Sequence, residues 1–459
     1  MKITKFLTAL LLVSAALLSS CNKDESIKLY DLTIRLSYPS EGTLSPYSGA
    51  TVELRETNGT GVYESQTTAD GTAFFQVPAG VYEATTSDTH VEGDYYYICN
   101  GVIGGIIVDG KEIRTYSIEV KTAKITNRNP IIIKEIYNGG VMLDDNSKNF
   151  QFDKCVILYN NSSKDYTAQN LAISMAPGYN AEAASNSKLF VNGVLEYDNS
   201  DYLPGYNGIW YFQNDLVIPA FSQIVVNICG AIDNTQTVTN SVNYANADYY
   251  CMYDPEYEGG GTQASNKFYN NTSYYPAPAD VIPTSHYLKT VKLGQGNAWP
   301  FSVTSPAVFI YQTEGTTPKA AAENADNDWY HTGYATTAIY KGTKVLRSWI
   351  VDGVEVWNSA KLDGSYKRLP ADIDAGHVNL TNQLGHALYR NVDKAATEAL
   401  PENNGLLVYN YSLGVDASTD PSGIDAEASI KNGAHIIFVD TNNSTNDFHE
   451  RQKCSLRGE

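Results

Sequence analysis

The chain is short of charge, shorter still of cations, and carries no familiar catalytic signature. Charged residues make up only 18% of its 459, and 51 Asp and Glu outnumber 32 Lys and Arg, for a formal net charge of −19. A surface that acidic repels phosphate backbones, so nucleic acid is not an expected partner. There is no H-E-x-x-H, no G-x-S-x-G and no P-loop, which removes the commonest zinc-protease, esterase and nucleotide signatures. The seven histidines are scattered. His377 and His386 are spaced so that a helix would turn them to opposite faces. Cysteine is scarce too: six, at irregular spacings and without a C-x-x-C, so no disulfide framework is written in the sequence. Cys155 and Cys229 sit in apolar runs, where buried thiols are the first reading and a Cys229–Cys251 bridge the alternative. Two polar clusters, Asn324-Asp326-Asp328 and Asp440-Asn442-Ser444, have the alternate spacing of a calcium loop. Both lack its glycine and its closing glutamate, since Trp329 and Ala335, then Thr445 and Arg451, stand there. Asx-turns are expected instead. No catalytic residue, metal ligand or cofactor is assigned.

What is abundant is equally informative. Thirty-four tyrosines and 35 glycines, mixed with Asn, Ser, Thr and β-branched residues, favour an all-β chain. Its length calls for two or three domains. Lys2 and Lys5 precede the apolar run Phe6 to Leu18, which is too short to span a bilayer and reads as a signal peptide over residues 1–20. The segment ends Leu18-Ser19-Ser20-Cys21 and resembles a bacterial lipobox. That resemblance implies cleavage before Cys21 and lipidation of its sulfur, with residues 21–28 as the tether. Several acyl chains hold a protein firmly on a membrane. Asn22-Lys23-Asp24-Glu25, directly after the cysteine, resembles the surface-export signal of Bacteroidota lipoproteins. The expected location is therefore the outer membrane, lipid-anchored and facing the exterior. Without Lys2 and Lys5 the net charge falls by two, from −19 to −21.

Residues 29–124 form a self-contained block. Leu32, Ile34 and Leu36 alternate with polar neighbours as a half-buried strand does. Ala50-Thr51-Val52-Glu53-Leu54, then Asp70-Gly71, then Val77-Pro78-Ala79-Gly80-Val81-Tyr82 follow, and Asp109-Gly110 marks a hairpin turn. This order resembles the prealbumin-like, carboxypeptidase regulatory-like repeat, which implies a Greek-key sandwich serving as a stalk. Lys121 to Asn129 reads as a polar linker.

The second block, 130–459, opens with Ile131-Ile132-Ile133-Lys134-Glu135-Ile136-Tyr137 and Cys155-Val156-Ile157-Leu158-Tyr159-Asn160. Short β-branched runs without alternation read as strands buried on both faces. With Leu171-Ala172-Ile173-Ser174, Leu216 to Val226, an Asp352-Gly353 hairpin and the closing Asp440-Thr441-Asn442-Asn443-Ser444-Thr445-Asn446-Asp447-Phe448, the block resembles a lamin-tail-like, immunoglobulin-fold domain. It departs from that family in having Ile157 where a glutamate is usual, and in lacking a Gly-Trp pair near Leu171. Leu189 to Leu195 reads as an Asn-Gly hairpin, and about 231–345 as a large insertion. Together the blocks resemble an uncharacterised family of Bacteroidota lipoproteins.

The insertion is rich in aromatic loops: Tyr249, Tyr250, Tyr253, Tyr274, Tyr275, Trp299, Trp329 and Tyr330. Rigid rings on Gly- and Asn-rich loops suit recognition, although a long insertion also needs rings for its own core. Trp329, set among Asn327, Asp328 and His331, is expected in a wet, exposed turn. The expectation is a non-enzymatic binding or accessory lipoprotein for a glycan, a peptide or a small nutrient, working beside a TonB-dependent outer-membrane receptor. A hydrolase of extracellular polymers and a structural or adhesive surface protein are the alternatives.

Overall fold

A computed structural model describes residues 27–39, 44–92, 95–111, 114–125, 129–257, 275–294, 301–333, 340–416 and 418–457. The leader, Cys21, Tyr274 and Trp299 lie outside the described residues. The protein is predominantly β, with a few short helices.

The N-terminal unit contains β1 (Tyr30–Ser37), β2 (Thr51–Glu56), β3 (Val62–Gln66), β4 (Thr72–Val77), β5 (Gly80–Glu92), β6 (Tyr95–Val108), β7 (Thr115–Glu119) and β8 (Lys121–Ile125). They make a three-stranded sheet, β4-β1-β7, and a five-stranded sheet, β3-β2-β5-β6-β8. Alternation drives the layering. Leu32, Ile34 and Leu36 of β1 meet Val52, Leu54, Tyr82, Ala84 and Ile106 of the facing sheet in one core, so the unit is a two-layer sandwich. β1 runs parallel to β7 and antiparallel to β4.

Two expectations change here. The start of the supposed linker is β8, an edge strand paired with residues 96–100 of β6; an edge needs only one partner, and Lys121 turns its ammonium to Asp198. The Asp109-Gly110 turn, with Gly110 at φ +71°, leads from β6 into the other sheet instead of closing a hairpin.

The C-terminal unit is built on a 12-stranded sheet. Its order is Val378–Leu380, Ile350–Asn358, Ala307–Gln312, Leu171–Met175, Gly208–Tyr211, Tyr287–Lys292, Tyr250–Met252, Gln223–Asn227, Cys155–Asn160, Ile131–Tyr137, Ala387–Arg390 and Phe448–Arg451. Every one of these strands contributes to a single interior cluster, from Ile131 and Val156 through Trp210 and Val354 to Phe448. The sheet is nearly closed on itself, and side chains bridge its two edges. Glu450 accepts from the backbone N–H of Thr381 at 2.7 Å and from its hydroxyl at 3.2 Å.

The run Ile131 to Tyr137 shows why alternation is missing. All seven residues are buried. Ile131, Ile133 and Ile136 face the interior, while Ile132 packs outside against Tyr159, Tyr389 and Phe438. Even Lys134 is buried: its ammonium reaches Glu427 at 2.6 Å and Gln223 at 2.7 Å, within 6 Å of three aromatic rings. The Asn192-Gly193 hairpin forms, with both residues at positive φ. The Asp352-Gly353 hairpin does not. Ile350–Asn358 is one continuous strand, because Asp352 turns its carboxylate onto its neighbours instead. It accepts from the Ile133 N–H at 2.7 Å and pairs with Arg390 at 2.5 Å, tying the two ends of the curved sheet together.

Candidate functional site

The two units meet where Lys121 pairs with Asp198 and at a seam formed by the closing motif. Ser87 donates its hydroxyl to the Thr441 carbonyl at 2.5 Å, and the Asn100 amide donates to the Asn442 carbonyl at 3.3 Å. Thr441 and Asn442 belong to the closing motif. Asp447 accepts from the Thr441 N–H at 2.9 Å and from its hydroxyl at 2.6 Å. Asn443 accepts from the Thr445 N–H at 3.1 Å, which starts the one-turn helix Ser444–Asp447. The motif is thus a bracket that presents carbonyls to the N-terminal sandwich.

Beside the seam the units leave a groove of two adjoining lobes, about 440 and 500 Å³. The lobes share Arg55, Ser418, Thr445 and Phe448. One wall is the outer face of the five-stranded sheet. Because Val52 and Leu54 point inward, Thr51, Glu53 and Arg55 must point outward into the groove. Glu64 stands opposite Glu53 in register. Arg55 donates to Glu53 at 2.7 and 3.2 Å, offsetting the repulsion of two facing carboxylates. The other wall carries Thr419, Asn446 and His449 in one lobe, and His377, Asp416 and Glu450 in the other.

The histidines are held neutral. Burial, then the charge of Arg451, lowers His449 to about 3. Burial, then Lys367, lowers His377 to about 4. The tautomer of His449 follows from its partners. Asn391 spends its amide N–H₂ on the Asn446 carbonyl at 2.7 Å. Its oxygen therefore faces Nδ1 of His449 at 2.7 Å, and that nitrogen carries the proton. Nε2 accepts from the Tyr411 hydroxyl, also at 2.7 Å. His377 stacks on Trp357 with ring centres 3.8 Å apart. What the groove offers is a belt of hydroxyls, amides and carboxylates around one arginine. Among the described residues no group of three His, Cys, Asp or Glu converges on a metal position.

The described aromatic residues among those singled out from sequence do not line the groove, and several are interior. Trp329 is only 5% exposed. It is the middle residue of the strand Asp328–Tyr330, so its polar neighbours face out while it faces in, edge-on to Tyr197 and Tyr206. Tyr275 is buried against Trp210. Tyr250 stacks on His286 at 4.1 Å and packs on Phe212, and Tyr253 meets Tyr287 edge-on. Tyr249 packs beside the cluster of Tyr137 and Tyr244. Tyr330 is half-buried. The groove residues escaped the sequence reading because they come from segments hundreds of positions apart. The one available signal was the Asp440–Phe448 motif.

Residues 219–412 match the family described as protein of unknown function (DUF4876). The match covers the insertion and flanking strands of the C-terminal unit. A crystal structure of a DUF4876 family protein from Bacteroides thetaiotaomicron is similar, with 18% identity over 91% of this chain and 94% of that chain and a TM-score of 0.49. No curated protein matches the chain.

Proposed function

We propose that the chain is a non-enzymatic, lipid-anchored surface protein that holds a glycan in the groove between its two units. The observation that carries this reading is the groove's lining. Thr51, Thr85, Thr419 and Asn446 offer hydroxyls and an amide, with Arg55 and the carboxylates beside them. Binding sites fix ligands through a few placed polar groups, and a sugar ring supplies many matching hydroxyls. The leader and Cys21 support the anchor. In this reading the N-terminal sandwich is a prealbumin-like stalk and the C-terminal unit a lamin-tail-like domain, within an uncharacterised Bacteroidota lipoprotein family. The bound glycan would pass to a TonB-dependent outer-membrane receptor. The test is a glycan array probed with the soluble chain lacking residues 1–21, beside its Arg55→Ala variant. Retention of one glycan class by the parent, weakened by about tenfold or more in the variant, supports the reading. Cleavage of the retained polymer would make the protein a hydrolase, and equal retention by both proteins would move the site out of the groove.

A further inference from the structure

All five described cysteines are free and buried, and they are not distributed evenly. Cys99 lies in the core of the sandwich, Cys229 in the interior of the large sheet and Cys251 in a small cluster with Ala231 and Ile282. Only Cys155 and Cys454 share a cluster, with Tyr137, Ile157 and Tyr244. The Cys229–Cys251 bridge weighed from sequence therefore joins residues of separate clusters.

The sheet register explains how two cysteines so far apart in sequence meet. Cys155 pairs with Tyr137, and Ile157 pairs with Glu135. Cys155 and Ile157, two apart on one strand, present the same face. The C-terminal tail crosses that face. Ser455 donates its N–H to Glu135 at 2.9 Å and its hydroxyl to the same carboxylate. With Ser455 fixed over Glu135, the residue before it falls over the Tyr137–Cys155 pair, and Cys454 and Cys155 are buried in the same cluster. Tyr244 belongs to that cluster and Tyr249 packs against it. We propose that Cys155 and Cys454 are a disulfide-forming pair that fastens the C-terminal tail onto the strand Cys155–Asn160.

The chemistry is ordinary thiol–disulfide exchange. While the tail is undocked, the Cys454 thiolate attacks a disulfide of an oxidising protein or small molecule. A mixed disulfide forms and one thiol leaves. When Ser455 docks on Glu135, the Cys155 thiolate attacks the Cys454 sulfur and expels the second thiol. Two protons leave the pair, and the oxidant takes up two electrons. Burial pushes the Cys454 thiol well above its usual range once docked, so the attack belongs to the open state. An extracytoplasmic address, read from the leader, is where such a bond persists.

The test uses the full chain, reduced and then exposed to oxidised glutathione without denaturant. The digest is read by mass spectrometry without reduction. One peptide pair joining residues 155 and 454, lighter by two hydrogens, is expected, together with a rise in Tm that dithiothreitol reverses. Cys155→Ala should abolish both the link and the oxidation-dependent rise, while its own reduced Tm stays within a few degrees of the parent's. If Cys155→Ala folds poorly, Cys454→Ser at the tail supplies the same comparison. Separately alkylated residues 155 and 454 after oxidation, a link between a different pair, or a link formed only in denaturant would overturn the proposal.

Discussion

Ser87 and Thr441 lie 354 positions apart and share a hydrogen bond of 2.5 Å, with Asn100 and Asn442 making a second contact at 3.3 Å. These bonds set the mouth of the groove, because Ser87 also lines it. Each is worth about 1 kcal/mol, little for the stability of either unit but enough to bias how they dock. The double variant Ser87→Ala/Asn100→Ala should leave both units folded, with a larger radius of gyration by small-angle scattering. Unchanged scattering would show that the seam does not set the docking.

Arg390 is buried and holds Asp352, Asp440 and Asp447 at 2.5, 3.2 and 3.5 Å. Removing one partner of a buried ion pair leaves charge without compensation, at about 3–5 kcal/mol. Arg390→Ala should therefore lower the unfolding free energy of the C-terminal unit by that amount in a denaturant titration and loosen the Thr441 bracket with it. A loss under about 1 kcal/mol would mean that the carboxylates find water or protons instead.

Trp329→Ala should cost about 3–5 kcal/mol by cavity formation, since the ring is wedged between Tyr197 and Tyr206. Tyr330→Ala, on the outward side of the same strand, should cost far less. Equal midpoints for Trp329→Ala and the parent in a denaturant titration would return Trp329 to the surface.

That pair of residues marks where sequence reading stopped. Long apolar strands were legible, because both-face burial leaves runs such as Ile131 to Ile136 that have no other home in water. A three-residue strand has too few positions to show a period, so Trp329 took on the character of its polar neighbours. The Asp352-Gly353 pair has hairpin chemistry, but a carboxylate needed by Arg390 at the edges of a curved sheet keeps the strand running through. The groove was invisible for a simpler reason: it exists only after residues 51–87 meet residues 359–450.

Stability should fall on acidification through His377 and His449. Their folded pKa values, about 4 and about 3, lie below the unfolded value near 6.5. Between those limits the unfolded chain binds more protons, so stability rises with pH there and is lost as pH falls below about 6.5. Asp153 and Asp447, both raised to about 6 by burial, oppose this over part of the window. The comparison that isolates the imidazole is therefore His449→Gln against the parent, at pH 7.5 and pH 5. The variant's deficit should shrink at pH 5, and a deficit that grows would reverse the sign of the argument.

The most direct test of the groove is calorimetric titration of the glycan retained best on the array into four proteins: the parent, Arg55→Ala, Thr419→Ala and Tyr250→Ala. Arg55 and Thr419 line the groove, whereas Tyr250 packs against Phe212 and His286 away from it. The account predicts a loss of about tenfold or more for the first two variants and parental affinity for Tyr250→Ala. Parental affinity in both groove variants, with loss in Tyr250→Ala, would contradict it and place recognition on the aromatic insertion.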